Sequence, residues 1–198
     1  MRPLDVDELR CDFLAYTGRK WMRGPRGTGV LFARPEAVDR LGPQPFVDGR
    51  SAEWCDDDSY TLFPDARRFE FGEQHLSGKV GLAVATRYLL DVGVDHVQQR
   101  IAALRGRLAA GLASLPDVEV HDEGRERCGI VTFTKRGEAT MEMHSRLHHD
   151  GLNVSAPGRR NAQYDLGSRG LDAVLRAAVH YFNTDDEVDR SLELIARL

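Results

Sequence analysis

Cysteine is scarce in this 198-residue chain, and the three present, Cys11, Cys55 and Cys128, form no Cys-x-x-Cys pair. An odd number of widely spaced thiols excludes a disulfide framework and predicts a reducing, cytoplasmic setting. The free thiols are expected to be small buried hydrophobes. No apolar run approaches the roughly 20 residues that a membrane-spanning helix needs. The opening Met1-Arg2-Pro3-Leu4-Asp5-Val6-Asp7 lacks the apolar stretch of a signal peptide. There is no excess of charge either: 27 Lys and Arg face 31 Asp and Glu, for a net charge of -4. Neither nucleic acid nor a membrane is therefore expected as a partner. What remains, 41% hydrophobic and 29% charged residues without repeats, is the balance of a soluble globular protein.

Periodicity divides the chain in two. Asp12 to Tyr16 predicts a brief buried strand, Trp21 to Thr28 a loop rich in Gly, Pro and Arg, and Gly29 to Ala33 a second strand ending at Arg34-Pro35. Gly42 to Pro64 has little periodicity and carries the acidic run Asp56-Asp57-Asp58, which predicts a long surface excursion. From Ser77 the pattern is helical, with Val80, Val84, Tyr88 and Leu89 on one stripe. After Gly93 a longer helix is marked by Val94, Val97, Ile101, Leu104, Leu108, Leu112 and Leu115, with Gln98, Gln99, Arg105 and Arg107 opposite and Pro116 ending it. A small α+β unit follows. Strands are predicted at Val118 to His121, Gly129 to Phe133, Leu152 to Ser155 and Val174 to His180. A helix opens at Thr140 with Met143 and Leu147 inward. Thr184-Asp185-Asp186-Glu187 fits the capping box that starts a last helix, continued by Val188, Leu192 and Ile195. Two domains are expected, 1–94 and 95–198. The first has too few elements to bury a core alone.

The segment with most chemical content is Thr17-Gly18-Arg19-Lys20 with the following Gly24-Pro25-Arg26-Gly27-Thr28-Gly29. A hydroxyl, a guanidinium and close-approach glycine amides make a phosphate cradle. A lysine beside such a cradle can form an imine with an aldehyde cofactor that brings its own phosphate. On the residues alone, an exposed basic turn before a strand is the commoner reading of such a segment. The Gly24–Gly29 stretch matches neither a Walker loop nor a dinucleotide fingerprint.

Position by position, Thr17, Gly18, Arg19, Lys20, Gly24, Pro25, Gly27 and Gly29 resemble the Schiff-base motif of the class V aminotransferase family. That family includes cysteine desulfurases, selenocysteine lyases and isopenicillin N epimerase-like enzymes. The resemblance implies an α/β fold: the C-terminal part of a fold-type I transferase dependent on pyridoxal 5'-phosphate (PLP). This part would comprise the end of the large α/β domain plus a small α+β C-terminal domain. It further implies that Lys20 forms the internal aldimine and that Thr17 and Arg19 contact the cofactor phosphate. Arg19, where desulfurases usually have His, points to the epimerase-like and C–S-lyase-like branch.

Two further stretches extend the resemblance over almost the whole chain. Arg68-Phe69-Glu70-Phe71-Gly72-Glu73 is similar to the family's Phe-Glu-x-Gly-Thr segment, which reaches the partner subunit's phosphate; this makes Gly72 and Glu73 candidates. Glu73 stands where Thr is frequent, and a carboxylate repels a phosphate. The run from Leu175 to Asp189 resembles the family's Arg-x-Ser-x-x-x-Tyr-Asn-Thr-x-x-Glu-Val-Asp stretch, which makes Arg176 the candidate for gripping a substrate α-carboxylate. His180 lies close to it in sequence. The resemblance implies a small amino-acid substrate, a homodimer, and lyase, epimerase-like or transaminase chemistry. The family's other cofactor contacts come from a preceding half, including an Asp that pairs with the pyridine nitrogen. The chain is thus expected to be a C-terminal portion, inactive alone or paired with a separately encoded N-terminal half. Desulfurases carry a nucleophilic Cys before the carboxylate-binding Arg, and Ser155 to Ser168 contains none.

Other signals are weaker. His144 and His148 have metal-binding spacing without the His-Glu-x-x-His motif, and solvated helix histidines are the expectation. Asp56 to Asp58 is expected to be a solvated charge run, Trp21 and Trp54 packing residues, and Arg67-Arg68 and Arg159-Arg160 local sites or solvated surface. No metal site is expected.

Overall fold

Residues 3–198 are described by the structure, a computed structural model, and fall into two units, Pro3–Gly93 and Val94–Leu198. Met1 and Arg2, where the first expected domain begins, lie outside the described residues. The first unit opens with a single helical turn, α1 (Val6–Leu9), capped by the Asp5 carboxylate. Strands β1 (Phe13–Thr17) and β2 (Gly29–Ala33) then pair antiparallel, from Phe13 opposite Ala33 to Thr17 opposite Gly29. Pro35 starts the short α2 (Pro35–Val38), where its fixed φ suits a first helical turn. Strand β1 forms where predicted, but it is not buried. Phe13, Ala15 and Thr17 on one pleat face and Tyr16 on the other are exposed, and among the described residues β2 is the strand's only sheet neighbour.

The excursion from Gly42 to Pro64 contains a hairpin, β3 (Ala52–Asp56) with β4 (Ser59–Leu62), that periodicity did not reveal. Its strands are exposed on both sides, so no apolar–polar alternation marks them. The acidic run forms the hairpin tip, where the Asp56 carboxylate accepts from the Asp58 amide at 3.0 Å. Trp54 is 79% exposed rather than packed, its indole N–H donating to the Asp56 carbonyl. Arg68 is the opposite case. Its guanidinium is buried and donates to the carbonyls of Val38 (3.1 Å) and Gly42 (2.9 Å), tying the end of α2 and the residues after it to the segment around Arg68. Arg67 stays at the surface, paired with Asp65.

Helix α3 (Leu76–Val92) buries only Leu89 of the stripe predicted to face inward. Gly78, Leu82 and Leu89 are buried, whereas Leu76, Val80, Val84 and Tyr88 form an exposed row at four-residue spacing. Apolar residues occupy most of its circumference, so periodicity alone does not select the buried side.

In the second unit, α4 (Val94–Ser114) buries Val97, Ile101, Leu104, Leu108 and Leu112, as its spacing predicts. It covers an antiparallel sheet in the order β5 (Val118–Val120), β6 (Ile130–Lys135), β7 (Leu175–Ala178). Helix α5 (Thr140–His149) contributes Met143 and Leu147 to the core; α7 (Asp185–Ala196) contributes Val188 and Ile195 and packs on α4. The capping box is complete: Thr184 Oγ1 accepts from the Glu187 amide, and the Glu187 carboxylate from the Thr184 amide. Leu152 to Ser155 is not a strand. It meets β7 through one bridge, Ser155 opposite Arg176, while a short helix, α6 (Gln163–Ser168), forms beyond it. Arg105, expected on the outer face of α4, is buried, because Asp122 lies 2.5 Å from its guanidinium and lets the charge be enclosed. Cys55 and Cys128 are exposed and Cys11 is half-buried. Cys55 sits in the open hairpin and Cys128 precedes β6, so neither reaches a core. Among the described residues no helix is long and apolar enough to cross a membrane.

Candidate active site

Strand β1 delivers the basic turn. Its last residue, Thr17, is followed at once by Gly18, whose amide donates to the Thr28 carbonyl (2.9 Å) and whose carbonyl accepts from the Gly24 amide (2.8 Å). These two bonds fold residues 18–24 into a closed loop that projects Arg19 and Lys20 from the end of the sheet. Gly18 is required by close approach: a Cβ there would stand 2.6 Å from both Leu82 Cδ1 and Thr28 Oγ1. Leu82 of α3 therefore sits against the base of the loop. Gly27, at φ +78°, supplies the left-handed turn into β2.

Thr17, Arg19 and Lys20 are exposed, and their side chains have no hydrogen-bond or ion-pair partner among the described residues. A hydroxyl, a guanidinium and an amine thus lie within four consecutive residues, all open to a ligand. Each has a chemical use: donors for a phosphate from Thr17 and Arg19, and a primary amine for an aldehyde carbon from Lys20. The fit to a phosphorylated aldehyde cofactor is good.

The structure also brings the Gly-rich turn to the Phe69–Glu73 segment. Gly27, Thr28 and Gly29 share a groove of about 740 Å³ with Phe69, Phe71 and Glu73, and the ring of Phe69 meets that of Phe13 edge-on at 6.4 Å. Lys20 does not line this groove. The Gly72 amide is already engaged, donating to Asp48 Oδ2 at 2.7 Å; that bond, with a second from the Arg50 amide, holds the Asp48 carboxyl below its usual range. Asp48 was missed by sequence reasoning, since nothing local marks an aspartate that bonds a backbone 24 residues away. The Glu73 carboxylate is exposed beside the groove.

In the second unit, Arg176 occupies the middle of β7. Its amide donates to Ser155 O (2.7 Å) and its carbonyl accepts from Ser155 N (3.0 Å), while Thr132 faces it from β6. The backbone is pinned on both sides, and the half-buried guanidinium has no carboxylate partner among the described residues. His180 lies past the end of β7, its Nδ1 accepting from the Tyr181 amide (3.0 Å) and its ring stacked on Phe182 at 4.5 Å. The loop before Arg176 is tied down by Arg159, which pairs with Asp172 at 2.6 Å, and it carries no thiol.

The family model for class-V aminotransferases matches residues 1–191. The chain belongs to that family. A probable cysteine desulfurase from Mycolicibacterium paratuberculosis is 30% identical over 196 residues, 99% of this chain and 28% of that protein. A cysteine desulfurase from Haloferax volcanii is 30% identical over 197 residues, 98% of this chain and 45% of that protein. Among solved structures, an apo cysteine desulfurase from Thermococcus onnurineus superposes with a TM-score of 0.88 at 29% identity, covering 97% of this chain and 48% of that one. The cystine C–S lyase C-DES superposes at 0.81 with 24% identity, which is a likeness of fold. The chain spans under half the length of each of these relatives and has the partial fold-type I architecture that the motifs imply.

Proposed function

We propose that this chain is part of a PLP-dependent enzyme that cleaves the C–S bond of a small sulfur-containing amino acid. The observation that carries the reading is the loop after β1, where Thr17, Arg19 and Lys20 stand unpartnered within a family match running through residue 191. Bound PLP supplies an electron sink that stabilises negative charge at the substrate Cα. In this reading Lys20 Nζ is the attachment point for the cofactor aldehyde and, once released, takes the Cα proton as the sulfur departs from Cβ. Thr17 and Arg19 hold the phosphate. Arg176 grips the α-carboxylate through its planar fork, and its pinned backbone keeps that fork in place. Activity is proposed for this chain together with the remaining half of the family's architecture.

Cysteine desulfurase chemistry is the second reading, favoured by the descriptions of the relatives. It needs a thiol to receive the sulfur, and residues 155–168 contain none, so release of sulfur without a protein persulfide on that loop is the first choice.

Both readings are tested by adding PLP to the purified chain, reducing with borohydride and mapping the adduct by mass spectrometry. A phosphopyridoxyl group on Lys20 is expected; a chain left unmodified at Lys20, alone or mixed with the other half of a relative, sinks the assignment. In an active assembly, Arg176→Ala is expected to weaken amino-acid binding roughly 100-fold, as loss of a charged hydrogen-bonded pair does, while the absorbance of bound cofactor persists. Loss of that absorbance instead would make Arg176 structural.

A further inference from the structure

Helix α5 carries metal-binding side chains that amino-acid chemistry does not use. Met141, His144 and His148 stand at i, i+3 and i+7, within about 60° of arc at 3.6 residues per turn. They lie away from Met143 and Leu147, which face the core. Met141 is 59% exposed, His148 is exposed and His144 half-buried, so all three are reachable from solvent. The two imidazoles lie parallel, at 5° and 6.3 Å between centroids. Asn153 Oδ1 is 3.1 Å from His148 Nδ1; accepting from it, the amide places the ring proton on Nδ1 and leaves Nε2 with a free lone pair.

The donor set decides the metal. Among the described residues no three His, Cys, Asp or Glu side chains are grouped to hold an ion, which leaves zinc and the hard cations without a third strong ligand. The third donor available here is a thioether, and soft sulfur combined with imidazole selects monovalent copper. We propose that Met141, His144 and His148 form a surface site for one cuprous ion. The site lies wholly within the second unit and is independent of the PLP reading.

The test is an anaerobic titration of the tag-free full chain with Cu(I) held by bicinchoninate, a chromogenic chelator. Thiols bind Cu(I) too, so Cys11, Cys55 and Cys128 are alkylated first. The alkylated chain is expected to withdraw one equivalent of copper. His144→Ala and His148→Ala should each weaken binding at least about tenfold, and Met141→Leu about tenfold, with thermal unfolding of the metal-free variants unchanged. A chelator spectrum unaltered by the wild-type chain overturns the proposal. So does any of the three variants binding as tightly as wild type.

Discussion

Asp122 does more for the second unit than its place just after a three-residue strand suggests. One oxygen meets the Arg105 guanidinium at 2.5 Å; the other accepts from the Thr132 amide (2.9 Å) and hydroxyl (2.7 Å). Removing it strands a cation whose side chain is only 11% exposed. Breaking a buried pair from one side typically costs about 3–5 kcal/mol, against about 0–1 for a surface pair. Asp122→Ala is therefore expected to lower stability by about 3 kcal/mol or more in urea unfolding, and Arg105→Met in the same chain to restore much of the loss. A single variant within about 0.5 kcal/mol of wild type would place the pair with ordinary surface charges. Arg105 and Arg68 show where residue-level reading fails. Both look like surface cations, and what buries them is an acceptor 17 or 30 positions away. The exposed basic turn of Thr17, Arg19 and Lys20 was legible for the opposite reason, since its members are neighbours in sequence.

Elements with one unambiguous apolar stripe were read correctly, and α7 is the clearest. Its start rests on Glu187, whose carboxylate accepts from the Thr184 amide (2.9 Å) and the Asn183 side-chain amide (3.0 Å). The Thr184 bond first, and then Asn183, hold its pKa below the usual 4.5. A carboxylate depressed in the folded state stabilises fully above its ordinary value, and that contribution is lost as pH falls through the folded one. Glu187→Gln is thus expected to lower the melting temperature near pH 7, with the gap to wild type shrinking as pH falls below the usual carboxylate range. A gap of constant size would assign the effect to something other than ionisation. The elements misread failed for other reasons. Strand β1 and α3 expose apolar residues on faces that a periodicity argument assigns to the interior, the β3–β4 hairpin is open on both sides and so carries no alternation, and 152–155 is held by a single bridge that no local pattern encodes.

At the scale of the molecule, the hydrophobic core cluster lies entirely within Val94–Leu198, drawing on α4, α5, α7 and the three-stranded sheet. The first unit buries a smaller set, chiefly Ala33, Ala37, Val38, Ala52, Leu82 and Leu89. Residues 94–198 expressed alone are therefore expected to unfold in one cooperative thermal transition with a dispersed amide spectrum. In the full chain, hydrogen exchange should be faster across β1–β4 than across α4 and β6. Uniform protection, or a collapsed spectrum for 94–198, would contradict this division. The open faces of the first unit also set how the protein behaves in bulk. Phe13 and Leu31 on one side of β1–β2, Tyr16 and Val30 on the other, and the Leu76-to-Tyr88 row of α3 are each at least 38% exposed. Particles with such patches stay dispersed only through charge repulsion, which is weakest near the isoelectric point of about 6.0. Precipitation and clustering are thus expected to depend on buffer and salt, with mildly alkaline, low-salt solution the regime in which light scattering from concentrated samples should be lowest.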